Sequence, residues 1–232
     1  MKYTETVTEI IKRSHDVKSF RFARPDGFEY KAGQYVIITL VIDGKNASKP
    51  FTLSSSPTEK DHIEFTKKLT GHEFSNALDG IEIGDEIIIS KPYGKFTFEG
   101  EYDKIALLSG GIGITPMISI CRSCADMKMD VDIKLICSNK TENDIVFADE
   151  LQEIMSNNSN ISVLDTLTRA SDEWPGCNGR ICDTLIHKEI PDYAERVFYI
   201  CGPPPMVDSV VEMLRSMNVA DEMIRKESLL GY

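Results

Sequence analysis

The sequence predicts a two-domain protein: an antiparallel β-barrel followed by an α/β domain with a doubly wound parallel sheet. Residues 1–99 contain at least six short apolar segments separated by turn residues, a pattern typical of a small closed barrel. After residue 100, continuous apolar runs alternate with helical segments, as in a parallel sheet covered on both faces. We therefore expect domains at residues 1–99 and 100–232, with the boundary near Glu99-Gly100-Glu101.

Turn residues separate the strands of the predicted barrel. Pro25-Asp26-Gly27 is a turn signal, and Asp43-Gly44 is a stronger one, because such pairs close two-residue hairpins. Residues 76–78 predict one short helical turn. The barrel strands are predicted at residues 3–12, 17–22, 36–42, 63–69 and 83–89, together with the stretch that follows Asp43-Gly44.

The second half of the chain alternates between strand and helix patterns. A Gly-rich turn separates its first strand from its first helix. The strands are predicted at residues 105–108, 133–137, 161–167 and 197–200. The helices are predicted at residues 117–127, 147–155, 182–188 and 206–217.

Composition restricts the classes of partner. The net charge is −11 and the sequence pI is about 4.9, which argues against nucleic acid or an anionic membrane, since both require clustered cations. No apolar run approaches the roughly 18 residues that a membrane span requires. The first residues lack the apolar core of a signal peptide, so we expect a cytoplasmic protein.

The 6 cysteines leave two interpretations. A zinc or iron–sulfur site is one, because Cys121 with Cys124 and Cys177 with Cys182 form two loose pairs. Buried, reduced thiols are the interpretation that we favour, because Cys121 and Cys124 lie within a helical pattern and the spacing of a plant-type ferredoxin is absent. We predict no metal site.

A hydroxyl-rich stretch follows the Asp43-Gly44 hairpin. It reads Lys49-Pro50-Phe51-Thr52-Leu53-Ser54-Ser55-Ser56. So many hydroxyls are unfavourable in a core strand, but they suit a site that binds a polar ring system and a phosphate. We interpret the stretch as the seat of a flavin.

A Gly-rich turn joins the first parallel strand to the next helix. It contains Gly110, Gly111, Gly113, Ile114, Thr115 and Pro116. Glycines allow close approach of a ligand to the backbone, and amides at a helix start can receive a pyrophosphate. We expect Thr115 to be the N-cap and Pro116 the first helical residue. A tight turn without a ligand is the alternative, because Pro116 interrupts the Gly-x-Gly-x-x-Gly fingerprint.

The last parallel strand is followed by Cys201-Gly202-Pro203-Pro204-Pro205-Met206. Ligands of doubly wound sheets gather at the carboxyl ends of strands, so this loop and the Gly-rich turn should face one ligand. Simple packing is the alternative for Cys201.

Together these motifs resemble the ferredoxin–NADP reductase superfamily of flavoenzymes over nearly the whole chain. Lys49-Pro50-Phe51-Thr52 resembles the flavin motif Arg-x-Tyr-Ser/Thr, and residues 71–75 resemble the second flavin loop. The Gly-rich turn resembles the nicotinamide-nucleotide loop, and residues 201–206 resemble the Cys-Gly-Pro-x-x-Met motif. The resemblance implies a flavin barrel followed by a nicotinamide-nucleotide domain, with hydride passing across the crevice between them.

The resemblance also implies residue roles. Thr52 would hydrogen-bond the flavin N-5 atom, Cys201 would lie near the nicotinamide carbon, and Glu227 would carry protons or shape the nicotinamide pocket. For Glu227, an exposed tail is the alternative. The implied flavin contacts are Lys49, Pro50, Phe51, Thr52, Leu53, Ser54, Phe65, Thr66, Lys67, Gly71, His72, Phe74, Ser75 and a terminal Tyr232. The implied nucleotide contacts are Gly110, Gly111, Gly113, Ile114, Thr115, Pro116, Ser138, Lys140, Cys201, Gly202, Pro203 and Met206.

Two departures from the flavin motif bear on affinity. Lys49 replaces the usual Arg and loses its bidentate fork, and Phe51 replaces the usual Tyr and loses its hydroxyl. We expect FAD rather than FMN, held less tightly than is usual. For the hydride donor, Lys140 permits NADPH, whereas the resemblance of residues 139–145 and 165–170 to cytochrome-b5 reductase favours NADH. We favour NADH.

Three functions fit these motifs. The leading one is an NAD(P)H-dependent flavoprotein oxidoreductase that passes electrons to a separate acceptor, either a ferredoxin-type or other redox protein or a small molecule. The others are a free flavin reductase, for which flavin is a substrate, and a flavin-binding electron-transfer subunit of a larger complex. The intact Gly-rich turn argues against the last.

Overall fold

Residues 2–229 are described by a computed structural model, in which twelve strands form two six-stranded sheets. The first sheet contains β1 Lys2–Lys12, β2 Val17–Ala23, β3 Tyr35–Ile42, β4 Lys45–Thr52, β5 His62–Lys68 and β6 Glu86–Ser90. The second contains β7 Lys104–Gly110, β8 Asp132–Asn139, β9 Ile161–Leu167, β10 Cys177–Asn178, β11 Val197–Gly202 and β12 Ile224–Ser228. The helices are α1 Glu73–Asp79, α2 Ile114–Asp126, α3 Ala148–Asn157, α4 Asp183–Glu189 and α5 Pro204–Ser216.

The first sheet is antiparallel and closes into a barrel, as predicted. Its order is β4-β3-β6-β1-β2-β5, and a bridge between Leu53 and Phe65 joins the two edge strands. Asp43 and Gly44 have φ values of 49° and 73°, the left-handed pair that a tight hairpin requires. The interior is apolar because alternate residues of each strand point inward, as Val36 and Ile38 do, both 0% exposed.

The second sheet is wholly parallel, in the order β10-β9-β8-β7-β11-β12, and this also confirms the predicted fold class. Helices cover both faces. Ile105 and Leu107 of β7 pack with the cluster that includes α2 and α3, whereas Ala106 and Leu108 pack with the cluster that includes α4 and α5. Burial on both faces is the reason why β7 reads as a continuous apolar run.

Three details differ from the sequence-based expectations. The strand β12 was not predicted, because Ile224-Arg225-Lys226-Glu227-Ser228 has no apolar alternation; backbone pairing with β11 holds it. Helix α2 begins at Ile114 with Gly113 as its N-cap, so the assignment of Thr115 as the N-cap and the assignment of Pro116 as the first helical residue were both wrong. The Thr115 hydroxyl instead donates a 3.1 Å hydrogen bond to the Ile112 carbonyl.

Burial of the cysteines is uneven. Cys121, Cys124, Cys137 and Cys201 are buried, but Cys177 is half-buried and Cys182 is exposed, so buried thiols do not describe all six. None of the helices within residues 2–229 is long and apolar enough to cross a membrane. The expected domain boundary at residues 99 and 100 lies in the connection between β6 and β7 and stays a prediction.

Candidate functional site

A cavity of about 540 Å³ lies between the two sheets, at the carboxyl ends of β7, β8 and β11. The barrel contributes Val17, Lys68 and Thr70 to its wall. The parallel-sheet half contributes Gly110, Gly111, Ile112, Ser138, Asn139, Lys140, Asp144, Val146, Thr168, Arg180, Ile181, Gly202, Pro203, Pro205, Met206, Ser209, Val210 and Leu229. This is the position at which doubly wound sheets bind nucleotides.

The glycines of the turn after β7 serve two purposes. Gly111 has φ +53°, and nothing lies within 4 Å of the position of an added Cβ, so it provides open wall for a ligand. An added Cβ on Gly113 would lie 2.2 Å from the Cys201 carbonyl oxygen, so Gly113 permits close packing of the loop against β11. Ile114, Thr115 and Pro116 are buried behind the loop and do not line the cavity.

The loop after β11 reaches the cavity through Gly202, Pro203 and Met206, but not through the thiol of Cys201. That residue is 0% exposed and belongs to the core cluster that includes α2. Burial, with the nearby Glu227 charge, raises the pKa of the Cys201 thiol well above its ordinary value. The place of Cys201 near the nicotinamide carbon therefore stays a prediction.

Glu227 lies in β12, in parallel register with Cys201 of β11, and so it is not an exposed tail. Its Oε2 atom is buried and has no hydrogen-bond partner within residues 2–229. Burial raises the pKa of Glu227 to about 7. Such a carboxyl can hold or release a proton near neutral pH, which suits either of its implied roles.

Several of the implied flavin contacts meet at one end of the barrel. The ring of Phe51 stacks on Phe65 at 4.9 Å and on Phe74 at 5.8 Å between centroids. Burial, together with the charge of the nearby Lys49, lowers the pKa of Lys67 to about 8. Lys49, Pro50, Gly71 and His72 are exposed, and Ser75 is buried, with its hydroxyl accepting the Thr70 amide at 2.9 Å.

The remaining implied flavin contacts are enclosed. Leu53, Ser54 and Phe65 are 0% exposed, Thr66 is 4% exposed and Thr52 is 6% exposed. The Ser54 hydroxyl bonds Glu64 Oε1 and Thr66 Oγ1, each at 2.8 Å, so these hydroxyls serve an internal network. Leu53 and Phe65 pack in the barrel core, and the Ser54 hydroxyl serves the internal network, so the side chains of these three residues do not face a flavin in this arrangement.

Sequence reasoning missed the charged cluster around Glu64. This carboxylate is 0% exposed and accepts hydrogen bonds from Arg13 at 3.0 Å and Arg21 at 2.8 Å, with Arg122 at 3.6 Å. Burial alone would raise the pKa of Glu64, but Arg122, Arg13, Ser54 and Arg21 together lower it. A signal for this cluster was present in the sequence: Glu64 lies within an otherwise buried strand, and a buried carboxylate requires cationic partners.

Sequence reasoning also missed the cavity residues Lys68, Asp144, Thr168 and Arg180. Lys68 bridges Asp16 at 2.9 Å and Asp144 at 3.2 Å, and thus joins the barrel to the second sheet. His15, Asp16 and Asp144 have a spacing that could hold a metal ion, but the Lys68 ammonium already forms an ion pair with each of the two carboxylates.

The end of the barrel suits FAD because two lysines lie near each other there. Burial, and to a smaller extent the nearby charge of Lys49, lower the pKa of Lys67, and a diphosphate would neutralise this pair of cations. Gly71, with φ +74° and nothing within 4 Å of an added Cβ, lies in the loop after β5. Tyr232, the implied aromatic partner of the flavin, lies outside the described residues.

Two family models match almost the whole chain in the expected order. Residues 4–98 match the oxidoreductase FAD-binding domain, and residues 107–212 match the oxidoreductase NAD-binding domain.

Comparison with known proteins gives the same result. The chain is 32% identical to a glycine betaine monooxygenase reductase subunit of Chromohalobacter salexigens, with 90% of this chain and 59% of the relative covered. It is 32% identical to the reductase component of propane 2-monooxygenase of Rhodococcus jostii, with 94% and 61% covered. The chain thus spans about three fifths of the length of these relatives.

A solved structure of the CS-b5R domains of human Ncb5or, in its NAD+ form, superposes with a TM-score of 0.84 at 26% identity. It covers 97% of this chain and 69% of that one. The shared fold therefore includes both sheets.

Proposed function

Because this chain belongs to the ferredoxin–NADP reductase superfamily of flavoenzymes, we propose that it oxidises a reduced nicotinamide nucleotide and passes the electrons through bound FAD to a separate redox protein. The cavity at the carboxyl ends of β7, β8 and β11 carries this proposal, because the barrel and the parallel sheet both contribute to its wall. A nucleotide in that cavity lies against the domain that holds the flavin motif.

When bound, FAD supplies the conversion from a two-electron donor to one-electron acceptors. In this proposal, Lys49 and Lys67 neutralise the diphosphate, and Thr52 donates a hydrogen bond to the flavin N-5 atom. Gly110 and Gly111 provide the open wall for the nucleotide. Glu227 shapes the nicotinamide side of the crevice from its position beside Cys201.

The acceptor follows from the relatives. Two of the most similar ones are reductase components of monooxygenases, which by name act with another component. We propose that this chain likewise reduces a separate redox protein of an oxygenase-type system.

Anaerobic stopped-flow mixing of the FAD-loaded protein with NADH and with NADPH tests the proposal. We expect the visible absorbance of the oxidised flavin to bleach with at least one nucleotide. If neither nucleotide bleaches the flavin, the proposed function is wrong.

A free flavin reductase is the second candidate. Lys49 and Phe51, which stand where the flavin motif usually has Arg and Tyr, favour it. Lys offers a point charge in place of a fork, so flavin can exchange more readily. Dialysis followed by measurement of the FAD content separates the two functions. Near-stoichiometric FAD after dialysis excludes the free flavin reductase, whereas loss of FAD with continued turnover of added flavin supports it.

The charges around the cavity bear on the hydride donor. Lys140 and Arg180 are exposed cations in its wall, and Thr168 adds a hydroxyl. Asp144 is the one carboxylate among the described wall residues, and Lys68 and Thr141 already bond it. We therefore propose that the cavity accepts the 2′-phosphate of NADPH, contrary to our sequence-based preference for NADH.

Arg180→Ala tests this choice. We expect the Kd for NADPH to rise about tenfold and the Kd for NADH to stay unchanged, because only the 2′-phosphate requires the guanidinium. Arg215→Ala is the matched control, since Arg215 is an exposed arginine outside the cavity wall. Equal effects of Arg180→Ala on both nucleotides would exclude a 2′-phosphate contact.

A further inference from the structure

Helix α2 connects the nucleotide cavity to Ser54-Ser55, the segment that follows the flavin motif. It begins at Ile114, immediately after the Gly-rich turn that forms part of the cavity wall. Farther along the helix, Ser119 Oγ donates a 2.7 Å hydrogen bond to the Ser55 carbonyl. Arg122 Nη1 donates a 2.8 Å hydrogen bond to the Ser54 carbonyl. Since residues three apart share one helix face, the two donors form a pair aimed at two consecutive peptide groups.

The segment that receives these bonds, Ser54-Ser55, begins two residues after Thr52. Ser54 N donates to the Glu64 carbonyl at 2.8 Å, and the Ser55 hydroxyl accepts the Glu64 amide at 2.9 Å. Strand β5 thus holds residues 54 and 55 on one side, and α2 holds their carbonyls on the other. Both therefore restrain the backbone that continues from Thr52, which itself pairs with Tyr35 of β3.

Arg122 is itself held in place. It is 9% exposed, and its guanidinium lies 3.6 Å from the carboxylates of Glu64 and Glu150. It also lies over the Phe147 ring, at 5.6 Å from the centroid. These contacts come from β5, α3 and the residue that precedes α3. They fix the orientation in which the guanidinium donates to the Ser54 carbonyl.

The connection between loop and strand is short and stiff. Ile114 and Ser119 are five residues apart, about 8 Å along a helix axis. An α-helix of this length does not stretch, so a displacement of the Gly-rich loop is transmitted to the Ser54 and Ser55 carbonyls. Hydride transfer is sensitive to such displacements, because a misplacement of about 1 Å can slow a reaction about 100-fold.

We propose that Ser119 and Arg122 are positioning residues that set the alignment between the nucleotide in the cavity and the flavin beside Thr52. This inference rests on the proposed function. Neither residue touches the nucleotide or the flavin motif through its own reacting group; each acts through the backbone of residues 54 and 55.

Ser119→Ala tests the proposal, with Ser123→Ala as the matched control. Both serines are buried on α2, at 0% and 3% exposure. Within residues 2–229, only Ser119 of the two donates a hydrogen bond to the Ser55 carbonyl. Hydrogen exchange of the FAD-loaded protein is measured by mass spectrometry over residues 52–56. We expect Ser119→Ala to speed exchange there about tenfold and Ser123→Ala to leave it unchanged, since one anchor of this backbone is lost. Equal exchange in the two variants would overturn the proposal.

Stopped-flow reduction gives the second readout. Ser119→Ala is expected to slow flavin reduction at saturating nucleotide about tenfold, with the nucleotide Kd and the FAD content unchanged. The long-wavelength charge-transfer band between bound nucleotide and flavin should weaken in parallel. If Ser119 had only a structural role, Ser119→Ala would lower thermal stability without slowing reduction at an unchanged nucleotide Kd.

Substitutions of Arg122 test the same role, with a conservative variant that should restore part of the reduction rate. Arg122→Met is expected to slow reduction about 100-fold, and Arg122→Lys is expected to recover part of the loss, because an ammonium can still donate to the Ser54 carbonyl. If both substitutions slow reduction equally, Arg122 does not act through that hydrogen bond.

The two failures are distinguishable. A parent protein that neither nucleotide reduces contradicts the proposed function. A parent that is reduced, with Ser119→Ala reduced equally fast and showing unchanged exchange at residues 52–56, contradicts only the positioning role.

Discussion

Thr52 is the last residue of β4, and strand alternation places it on the same side as Ser54, whose hydroxyl faces the Glu64 network under α2. That side of the barrel faces the second sheet. Thr52 is 6% exposed and lies between the barrel-core residues Phe51 and Leu53, so we expect its hydroxyl to point away from the barrel core, toward the half of the molecule that holds the nucleotide cavity.

Thr52→Ala should slow flavin reduction by about 10- to 100-fold while FAD stays bound, because one hydrogen-bond donor to the reacting atom is removed. Anaerobic stopped-flow measures the rate, and absorbance after dialysis measures the bound FAD. Thr39→Ala is the control, since Thr39 is equally buried on the neighbouring strand but bonds only Ser48. Unchanged reduction in Thr52→Ala would remove Thr52 from the reaction.

Glu227 makes stability depend on pH. Burial raises the pKa of Glu227 to about 7, above the ordinary value near 4.5, so between these values the folded state binds more protons than the unfolded state. Stability contributed by the protonated form is therefore lost as pH rises from about 4.5 to 7. Glu227→Gln should unfold at a higher urea concentration than the parent at pH 8 and at a similar one at pH 4, a difference on the order of 2 to 3 kcal/mol. A pH-independent difference would contradict the burial of this carboxyl.

Among the structural elements, the Gly-rich loop combines a ligand wall and a packing contact. Gly111→Ala should keep the fold, at a cost of about 1 kcal/mol for its left-handed backbone, and should weaken nucleotide binding, because the Cβ enters the cavity wall. Gly113→Ala should instead destabilise the protein by about 3 kcal/mol, because its Cβ collides with the Cys201 carbonyl. Urea unfolding and nucleotide titration measure the two effects. The reverse assignment of effects would show that the loop is placed differently.

For the whole molecule, the cluster around Glu64 joins the two sheets. Arg13 and Arg21 come from the barrel side of the molecule and Arg122 comes from α2. Arg13 also pairs with Glu150 of α3, and its guanidinium lies over the Phe147 ring, at 4.6 Å from the centroid. One buried carboxylate therefore organises cations from both halves.

Glu64→Gln should destabilise the protein by about 3 kcal/mol at pH 7, because three arginines lose their shared buried charge. The folded-state pKa of Glu64 lies below its ordinary value, so the stabilisation is present above the ordinary pKa and is lost as pH falls. The parent and Glu64→Gln should therefore converge in urea unfolding as pH falls below about 4. Glu9→Gln is the control, since Glu9 pairs with the same Arg21 but is 51% exposed, and it should change stability by less than about 1 kcal/mol.

The sequence by itself determined the two sheet types, their order along the chain and the loops that meet at the cavity. Strand alternation, continuous apolar runs and turn residues are local properties, so they can be read without knowledge of distant contacts. Gly110, Gly111, Gly202 and Met206 were expected to face one ligand; they line one cavity, and their contact with a nucleotide stays a prediction.

Only the tertiary structure decided which side chains share a charge, a hydrogen bond or a cavity wall. Glu64 meets Arg122 from 58 residues away in sequence (122 − 64), and Ser119 meets Ser55 from 64 away. The pairing of β12 with β11, which buries Glu227 beside Cys201, likewise has no local signal in its sequence. The first two contacts arise from the packing of one half of the molecule on the other, and the third arises within the second sheet. The physical reason is the same for all three: burial and electrostatic partners depend on distance in space rather than along the chain.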